Sequence, residues 1–171
     1  EDPDHLTNIK INLNDSENAK ATENMVFAGN LNSEVAAGDP ESTIVLSYFV
    51  YDSKGQEYTV PIKLEKSATA NEWTWTLEDN TIIGPGGGTV TATASGTITF
   101  NTDGTYDTVT SDAITFAPVG SDPLNITLDF TKLTQYGAAF NAAIESQDGY
   151  TSGTIEGVFS NGVSRTLGQI A

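Results

Sequence analysis

The sequence has 171 residues, enough for one domain or slightly more, and it contains no cysteine, so disulfide bonds and thiolate chemistry are excluded. Its 23 acidic and 7 basic residues leave a formal net charge of −16, and such a surface repels both nucleic acid and anionic lipid, so neither a nucleic-acid nor a membrane partner is expected. No apolar run approaches the roughly 20 residues of a transmembrane helix, and no signal peptide is visible.

The first part of the chain predicts short strands separated by polar segments. Residues 9–13 alternate between apolar and polar side chains and indicate a strand, followed by a linker over residues 14–23. A second strand is predicted at residues 25–31, and an acidic loop follows at residues 34–42. Thr, Asn, Ser, Ala and Gly are abundant throughout, which favours short strands and turns over helices.

The clearest local unit is a β-hairpin between residues 43 and 65. Residues 43–51 are rich in β-branched and aromatic side chains, and residues 57–65 alternate between polar and apolar ones. Between them, Asp52-Ser53-Lys54-Gly55 has the chemistry of a turn, because glycine adopts positive φ. Pro61 lacks an N–H, so the second strand is expected at a sheet edge or at a bulge.

The rest of the chain repeats this pattern. Strict alternation in residues 73–77 places Trp73 and Trp75 on one face. Further strands are predicted at 89–100 (interrupted at Ser95-Gly96), 113–116, 125–131, 153–159 and 163–170. Turns or loops are predicted at 84–88, 101–104, 118–123, 134–137, 147–150 and 160–162. The weak helical candidate, residues 138–146, is too short to be stable without tertiary support. The predicted fold is an all-β sandwich or barrel.

Few residues point to catalysis. His5 is the only histidine, and it lies in a polar segment with nothing beside it to complete a triad or a metal shell. A glycosidase would need two carboxylates held across a cleft, whereas turn formation explains the acidic residues of this chain more simply, because Asp hydrogen-bonds its own backbone in turns. The turn carboxylates are Asp52, Asp79, Asp103, Asp112, Asp122 and Asp148.

Three further motifs have competing interpretations. Residues 101–104 have part of a calcium-loop pattern but lack the downstream bidentate Glu, so a turn is favoured. Residues 84–88 lack the Lys-Ser/Thr of a phosphate-binding loop. Trp73 and Trp75 could stack on a sugar or pack one face of a sheet, and packing is favoured. No catalytic, cofactor-binding or metal-binding residue is therefore assigned, and no cofactor is expected.

Several separated motifs resemble, in the same order, those of bacterial flagellar hook proteins. Each is a turn plus a strand and is weak alone, whereas the ordered set, and the final T-L-G-Q-I-A in particular, is specific. After Tyr150 the family has a further strand and turn that this sequence lacks. The motifs are Asn30-Leu31-Asn32-Ser33, Val50-Tyr51-Asp52-Ser53-Lys54-Gly55, Trp73, Phe100-Asn101-Thr102-Asp103-Gly104, Leu128 to Gly137, Ser146 to Tyr150, and Ser160 to Ala171.

This resemblance implies a domain organisation. Residues 21–149 would form an outer, β-barrel-like domain inserted into a smaller β domain, the middle domain, to which residues 1–20 and 150–171 would belong. The helical region that hook proteins build from their chain termini would be absent, which agrees with a sequence that begins Glu1-Asp2-Pro3-Asp4 without a methionine. The chain is thus expected to be a fragment of a hook subunit, and to be monomeric in solution.

The implied function is mechanical and not enzymatic. Hook subunits polymerise into a curved tube that joins motor to filament and transmits torque as a universal joint. The expected partners are other hook subunits and the neighbouring axial proteins of the rod, the hook cap and the hook–filament junction. The expected location is extracellular, after export through the flagellar secretion channel without a cleaved signal peptide. The alternative is an extracellular adhesin or carbohydrate-binding β module, for which Trp73 and Trp75 would have to be exposed.

Overall fold

The computed structural model describes residues 18–152, 154–158 and 164–169. Strands dominate this part of the chain, with three short 3-10 turns at Pro40–Ser42, Glu78–Asn80 and Pro85–Gly87, so the predicted all-β class is confirmed. His5, the strand predicted at residues 9–13 and the turn predicted at residues 160–162 lie outside the described residues. The strands are β1 (Asn24–Asn30), β2 (Thr43–Tyr51), β3 (Glu57–Lys66), β4 (Glu72–Leu77), β5 (Thr81–Ile83), β6 (Thr89–Thr91), β7 (Ser95–Phe100), β8 (Tyr106–Val109), β9 (Ala113–Phe116), β10 (Leu124–Thr134), β11 (Ala143–Gln147), β12 (Thr154–Val158) and β13 (Ser164–Gln169).

The chain divides into two compact units. One unit is Ala19–Thr151, and the other combines Glu1–Asn18 with Ser152–Ala171. In the second unit, β12 and β13 form an antiparallel pair, where the sequence predicts two short strands. No helix among the described residues is long and apolar enough to cross a membrane.

The smaller sheet of the unit Ala19–Thr151 has the strand order β11-β1-β10-β9. Strand β10 pairs in parallel with β1 and antiparallel with β9, while β11 pairs antiparallel with β1. The strand predicted at residues 25–31 corresponds to β1 within one residue at each end.

The larger sheet is built on the predicted hairpin. Strands β2 and β3 pair without interruption from Thr43↔Glu65 to Tyr51↔Glu57, which confirms that prediction. Strand β3 also pairs with β4 and β5, and the sheet continues in the order β6-β5-β3-β4-β7-β8. Its inward side chains alternate strictly with outward ones, as expected for a sheet with one buried face.

The hydrophobic core lies between these two sheets. Phe130 of β10 has its ring centroid 4.8 Å from that of Phe27 of β1 and 6.0 Å from that of Trp75 of β4, so aromatic side chains from both sheets meet. In the described part of the chain the two ladders remain separate sheets and do not close into a barrel. The arrangement is therefore a two-layer sandwich, one of the two folds that the short alternating strands predict.

The prediction made from Pro61 was wrong. Strand β3 is an interior strand, and its pairing with β2 runs through Ser47↔Pro61 without a bulge. On its other side, β3 pairs with β5 at Thr59 and with β4 from Ile62 onwards, so Pro61 lies where β3 changes partner. A missing N–H is tolerated at such a junction because no ladder bond is formed there on that side.

The predicted interruption at Ser95-Gly96 was also misplaced. These two residues begin β7 and pair with Thr76 and Trp75, while the break between β6 and β7 falls at residues 92–94. Gly96 is required because an added Cβ would lie 2.5 Å from Trp75 Nε1. A glycine here indicates the close approach of a buried indole, not the end of a strand.

The helix predicted at residues 138–146 is not formed. Residues 143–147 are β11, which pairs with β1 through Phe27↔Ile144 and Ala28↔Ala143. Just before it, Asn141 N donates to Asn30 O at 3.1 Å. Pairing with a buried strand therefore overrides the modest helix propensity of a segment too short to be a stable helix.

Candidate functional site: polar clusters at the motif residues

Asn30, at the end of β1, holds the segment that follows β10. Its side chain is buried, and its Oδ1 accepts from Tyr136 N at 2.7 Å and from Thr134 Oγ1 at 3.1 Å. Its Nδ2 donates to the backbone oxygens of Ala138 at 3.0 Å and of Tyr136 at 3.3 Å. An irregular segment needs partners for its backbone groups, and Asn30 supplies several of them from one side chain. We call this set of contacts the Asn30 cluster.

Gln135, in the same segment, connects three other parts of the chain. Its buried side chain accepts from Trp73 Nε1 at 2.8 Å and donates to Asn71 Oδ1 at 3.1 Å. Its backbone N–H donates to Gly104 O at 2.7 Å. Gly104 has φ of +85°, and an added Cβ there would lie 2.5 Å from Gln135 O. The turn therefore requires glycine both for its backbone conformation and for the space beside Gln135. These contacts form the Gln135 cluster.

Asp52 is a fully buried carboxylate at the hairpin turn. Its Oδ1 accepts from Lys54 N and Gln56 N, both at 2.9 Å, as expected for an Asp that stabilises its own turn. Its Oδ2 accepts from Ser121 Oγ at 2.5 Å, which attaches the loop between β9 and β10 to the hairpin. A cavity of about 480 Å³ lies beside it, but these hydrogen bonds already engage both carboxylate oxygens.

Asp148 joins the two places where the chain enters and leaves the unit Ala19–Thr151. Its Oδ1 accepts from the backbone N–H groups of Glu23 and Asn24, both at 2.9 Å. Its Oδ2 accepts from Lys20 Nζ at 2.8 Å and from Asn24 Nδ2 at 3.1 Å. Charge-assisted hydrogen bonds of this kind are among the stronger polar contacts in proteins. We call these four residues the Asp148 clamp.

Neighbouring contacts reinforce the clamp. Gln147 Oε1 accepts from Thr22 Oγ1 at 2.8 Å and from Gly149 N at 2.6 Å. Lys20 and Tyr150 exchange two backbone hydrogen bonds, at 2.9 and 3.0 Å. The two ends of the unit are therefore fastened side by side.

The sequence-based interpretation of Asp148 as a local turn residue was wrong. Its partners are residues 20–24, more than 120 positions away along the chain. Nothing in the local sequence signals this, because Gln-Asp-Gly has the composition of an ordinary turn. The roles of Asn30 and Gln135 were missed for the same reason, although both lie in motifs that carry the hook-protein resemblance.

The ionisation of Asp148 should make the stability of the protein depend on pH. Partial burial by itself raises the pKa of Asp148, but hydrogen bonds from Lys20, Asn24 and Glu23 outweigh it and hold the pKa well below its usual range. A carboxyl whose pKa is lower in the folded state stabilises the fold above its unfolded pKa, about 3.9 for Asp. That stabilisation is lost as the pH falls from there towards the folded pKa.

We therefore expect Asp148→Asn to lower the free energy of unfolding by about 1–2 kcal/mol at neutral pH. The difference from the unsubstituted chain should shrink progressively as the pH falls from about 4 towards the folded pKa of Asp148, because the unfolded carboxyl then binds a proton that folding has to release. Urea unfolding of the two chains between neutral and acidic pH measures this, with Asp122→Asn at an exposed loop position as the control. A difference that stayed constant with pH would contradict the ionic role of the clamp.

Trp73 and Trp75 do not form a binding platform. Both are completely buried, with 0% of their surface exposed, so the packing interpretation is confirmed. Each indole N–H has a partner inside the protein: Trp73 donates to Gln135 Oε1, and Trp75 donates to Ser111 O at 2.8 Å. Lys66 Nζ lies 5.9 Å from the Trp73 ring centroid, and burial lowers the pKa of Lys66.

The remaining candidate residues occupy turns or the surface. Asp103 Oδ1 accepts from Thr105 N at 3.0 Å and from Thr105 Oγ1 at 2.6 Å, which confirms the turn predicted at residues 101–104. Asp79, Asp112 and Asp122 are exposed. Residues 84–88 form a 3-10 turn that leads into β6. Within the described ranges, no group of three or more acidic, His or Cys side chains could hold a metal ion.

The motif residues thus join distant parts of the unit Ala19–Thr151. Comparisons with known proteins match this same region. Residues 30–150 match the family model described as the flagellar basal body protein FlaE D2 domain. The chain belongs to the FlaE D2 domain family. The Asn30, Gln135 and Asp52 contacts, as well as Asp148, all lie within the family's matched region.

Individual relatives of this FlaE D2 chain are hook proteins. It is 31% identical over 161 residues to the flagellar hook protein FlgE of Rhizobium meliloti strain 1021, a match that covers 90% of this chain and 37% of that relative. The chain thus spans little more than a third of the relative's length. The resemblance to hook proteins drawn from the motifs is confirmed by these two sequence matches.

Two solved structures are also similar to this FlaE D2 chain. One is a 32 kDa fragment of the hook protein FlgE from Caulobacter crescentus, with 21% identity and a TM-score of 0.41, covering 65% of this chain and 46% of that one. The other is the Helicobacter pylori flagellar hook protein FlgE2, with 18% identity and a TM-score of 0.42, covering 75% of this chain and 32% of that one.

Proposed function

We propose that this chain is part of a structural subunit of the bacterial flagellar hook, the curved tube that joins the motor to the filament and transmits torque while bending. The observation that carries the proposal is the family match over residues 30–150, together with 31% identity to a hook protein across 90% of the chain. The role requires no catalysis, so we assign no enzymatic activity.

The contacts of the unit Ala19–Thr151 support a mechanical role. A domain that transmits torque has to keep its shape when force reaches it through its two chain connections. The Asp148 clamp ties those connections to each other with four hydrogen bonds to one carboxylate. The Asn30 and Gln135 clusters hold the irregular segment after β10 with buried side-chain hydrogen bonds. The segment after β10 is therefore fastened to both sheets.

Immunogold electron microscopy on flagellated cells of the source tests the proposal. With antibody raised against this chain, we expect label confined to the short curved segment between the cell body and the filament. Cells from which the gene has been deleted provide the control for antibody specificity. Label along the filament, or over the whole cell surface, would overturn the assignment.

The domain arrangement and partners form part of the same proposal. We assign the unit Ala19–Thr151 to the outer domain of the subunit, and the unit of Glu1–Asn18 with Ser152–Ala171 to its middle domain. The partners would be other hook subunits and the adjoining axial proteins of the rod, the hook cap and the hook–filament junction. The subunit would be extracellular, exported by the flagellar secretion apparatus without a cleaved signal peptide.

The isolated 171-residue chain is expected to be monomeric in dilute solution. Its net charge of −16 opposes the approach of a second copy, and exposed apolar side chains are few in the part of the chain that the structure describes. Light scattering at several protein concentrations measures the mass directly. A stable oligomer whose mass does not change on dilution would contradict this expectation.

The competing function, a carbohydrate-binding or adhesive module, is disfavoured by one observation. Aromatic platforms for sugars need exposed rings, and both Trp73 and Trp75 are completely buried. Added glycans should therefore leave tryptophan fluorescence unchanged. Quenching that saturates with glycan concentration would bring the binding module back into consideration.

A further inference from the structure

Strand β2 is an edge of the larger sheet, since β3 is its ladder partner and no other described strand pairs with it. On the side away from β3, Tyr51 N donates to Thr22 Oγ1 and Tyr51 O accepts from Thr22 N, both at 2.9 Å. Backbone groups of alternate residues in an antiparallel strand point the same way, and the pairing of β2 with β3 has no bulge. Four further residues therefore point their N–H and C=O groups outward, and we call these groups the β2 edge: Thr43, Val45, Ser47 and Phe49.

The β2 edge is open to pairing, whereas the other edge strands of the unit Ala19–Thr151 are protected. Strands β6 and β9 have only three and four residues, and β8 and β11 each carry an acidic residue, Asp107 and Glu145. Short strands and charged side chains are common means of blocking the addition of a foreign strand. Strand β2 has nine residues and contains no charged residue, proline or glycine. Within the part of the chain that the structure describes, no backbone hydrogen bond is formed to the β2 edge.

Apolar side chains on the inward side of this edge are incompletely covered. Ile44, Leu46 and Tyr48 of β2 pack against the core but are only half-buried, whereas the inward side chains of β3 are buried. Strand β11 lies alongside β2, and there Phe140 and Ile144 are also half-buried. A strand added to the β2 edge would place every second side chain over these residues, and burying them further is favourable.

A cavity of about 380 Å³ lies at the start of the edge. Val35, Ile44 and Phe140 give it apolar walls, and Glu41 lies among the lining residues. Glu41 is exposed, and among the described residues its carboxylate forms no ion pair. Because the chain also has a net charge of −16, a basic residue is the favoured neighbour for Glu41.

We propose that the β2 edge and this cavity form an acceptor site for an extended segment of another protein, which adds a strand to the larger sheet. Outward backbone groups that repeat at every second residue are matched by another extended backbone. The half-buried side chains call for an apolar residue at every second position of that segment, and Glu41 calls for a basic residue at its end. The inference goes beyond the proposed function, which makes no demand on this edge.

A capped synthetic peptide of the same length as β2, with the sequence K-T-V-T-I-T-V-T-K and a fluorescent label, is the probe. We expect its fluorescence anisotropy to rise saturably as the full 171-residue chain is added. Two N-methylated forms provide matched controls, one methylated on its threonines and the other on its apolar residues. Each blocks one edge of the peptide, so one form should bind like the parent and the other at least about tenfold more weakly. Equal binding of the two forms would contradict strand addition.

Ser47→Pro tests the same contact from the side of the protein. It removes an outward N–H in the middle of the β2 edge and leaves the hydrogen bonds to β3 in place. Ser47→Ala is the control, since it removes the hydroxyl and keeps the N–H. With folding verified by circular dichroism, the proline variant should bind the peptide at least about tenfold more weakly and the alanine variant within about threefold of the unsubstituted chain. Equal binding by the two folded variants would contradict the proposal.

Amide hydrogen exchange on the full chain identifies what occupies the edge. Without peptide, the N–H groups of Val45, Ser47 and Phe49 should exchange much faster than those of Leu46 and Tyr48, which face β3. Added peptide should protect the outward set. Slow exchange of that set without peptide would mean that the edge is already paired, and protection that rises with protein concentration would make a second copy the occupant. Either result, or an absence of saturable peptide binding, would overturn the proposal.

Discussion

Replacing Trp73 with alanine is expected to lower the free energy of unfolding by about 3–5 kcal/mol, the range for large aromatic side chains in well-packed cores. Trp73 is completely buried, and its indole N–H donates to Gln135 Oε1 at 2.8 Å. The substitution removes the ring, leaves a cavity and deprives a buried amide oxygen of its donor. Urea denaturation followed by circular dichroism measures the loss.

Two further variants separate these effects. Trp73→Phe keeps an aromatic ring but loses the donor to Gln135, and it should lower the free energy of unfolding by about 1–3 kcal/mol. Val119→Ala, at a fully exposed position, is the control and should change it by less than about 0.5 kcal/mol. If Trp73→Ala behaved like Val119→Ala, Trp73 would not be part of the core described above.

Replacing Asn30 with alanine is expected to lower the free energy of unfolding by about 2–4 kcal/mol, because it leaves buried backbone groups without partners. The side chain of Asn30 accepts from Tyr136 N and Thr134 Oγ1 and donates to Ala138 O. Without it, Tyr136 and Ala138 lose their hydrogen bonds to this side chain, and the segment is attached there only through backbone bonds such as Ser33 N to Tyr136 O. Amide hydrogen exchange should therefore rise first in this segment, ahead of any global unfolding.

Asn32 provides a matched control in the same Asn-Leu-Asn-Ser motif. Its Oδ1 accepts a single hydrogen bond, from Glu34 N at 2.9 Å, in an exposed turn. Asn32→Ala should lower the free energy of unfolding by no more than about 1 kcal/mol. Equal losses from the two substitutions would mean that the Asn30 cluster has no special role in holding the segment.

Local pattern predicted much of the sandwich. The hairpin of β2 and β3 and the short strand β9 appear where alternation and turn residues place them. Such elements can be read from sequence because each has one buried and one exposed face, so the period of two is visible. The turns that join them contain Gly and Asp at the positions that turn geometry demands, as at Gly55, with φ of +75°.

Besides β11, two strands were missed for reasons that follow from the same rule. Strand β5 has three residues, Thr81–Ile83, too few to display alternation. Strand β8 has the sequence Tyr-Asp-Thr-Val and no fully buried side chain, so it lacks an apolar stripe. Both exist because the larger sheet offers them a partner: β5 pairs with β3 and β6, and β8 pairs with β7.

By itself, the sequence determined the all-β class, the positions of most strands, the burial of the two tryptophans and the resemblance to hook proteins. Each of these features depends on residue type and on spacing within a short window. Only the tertiary structure decided that β3 is an interior strand, that residues 143–147 pair with β1 and do not form a helix, and that Asp148 fastens residues 20–24. These features depend on pairing and hydrogen bonding between segments far apart in the chain, and a buried donor or acceptor takes whichever partner the fold brings to it.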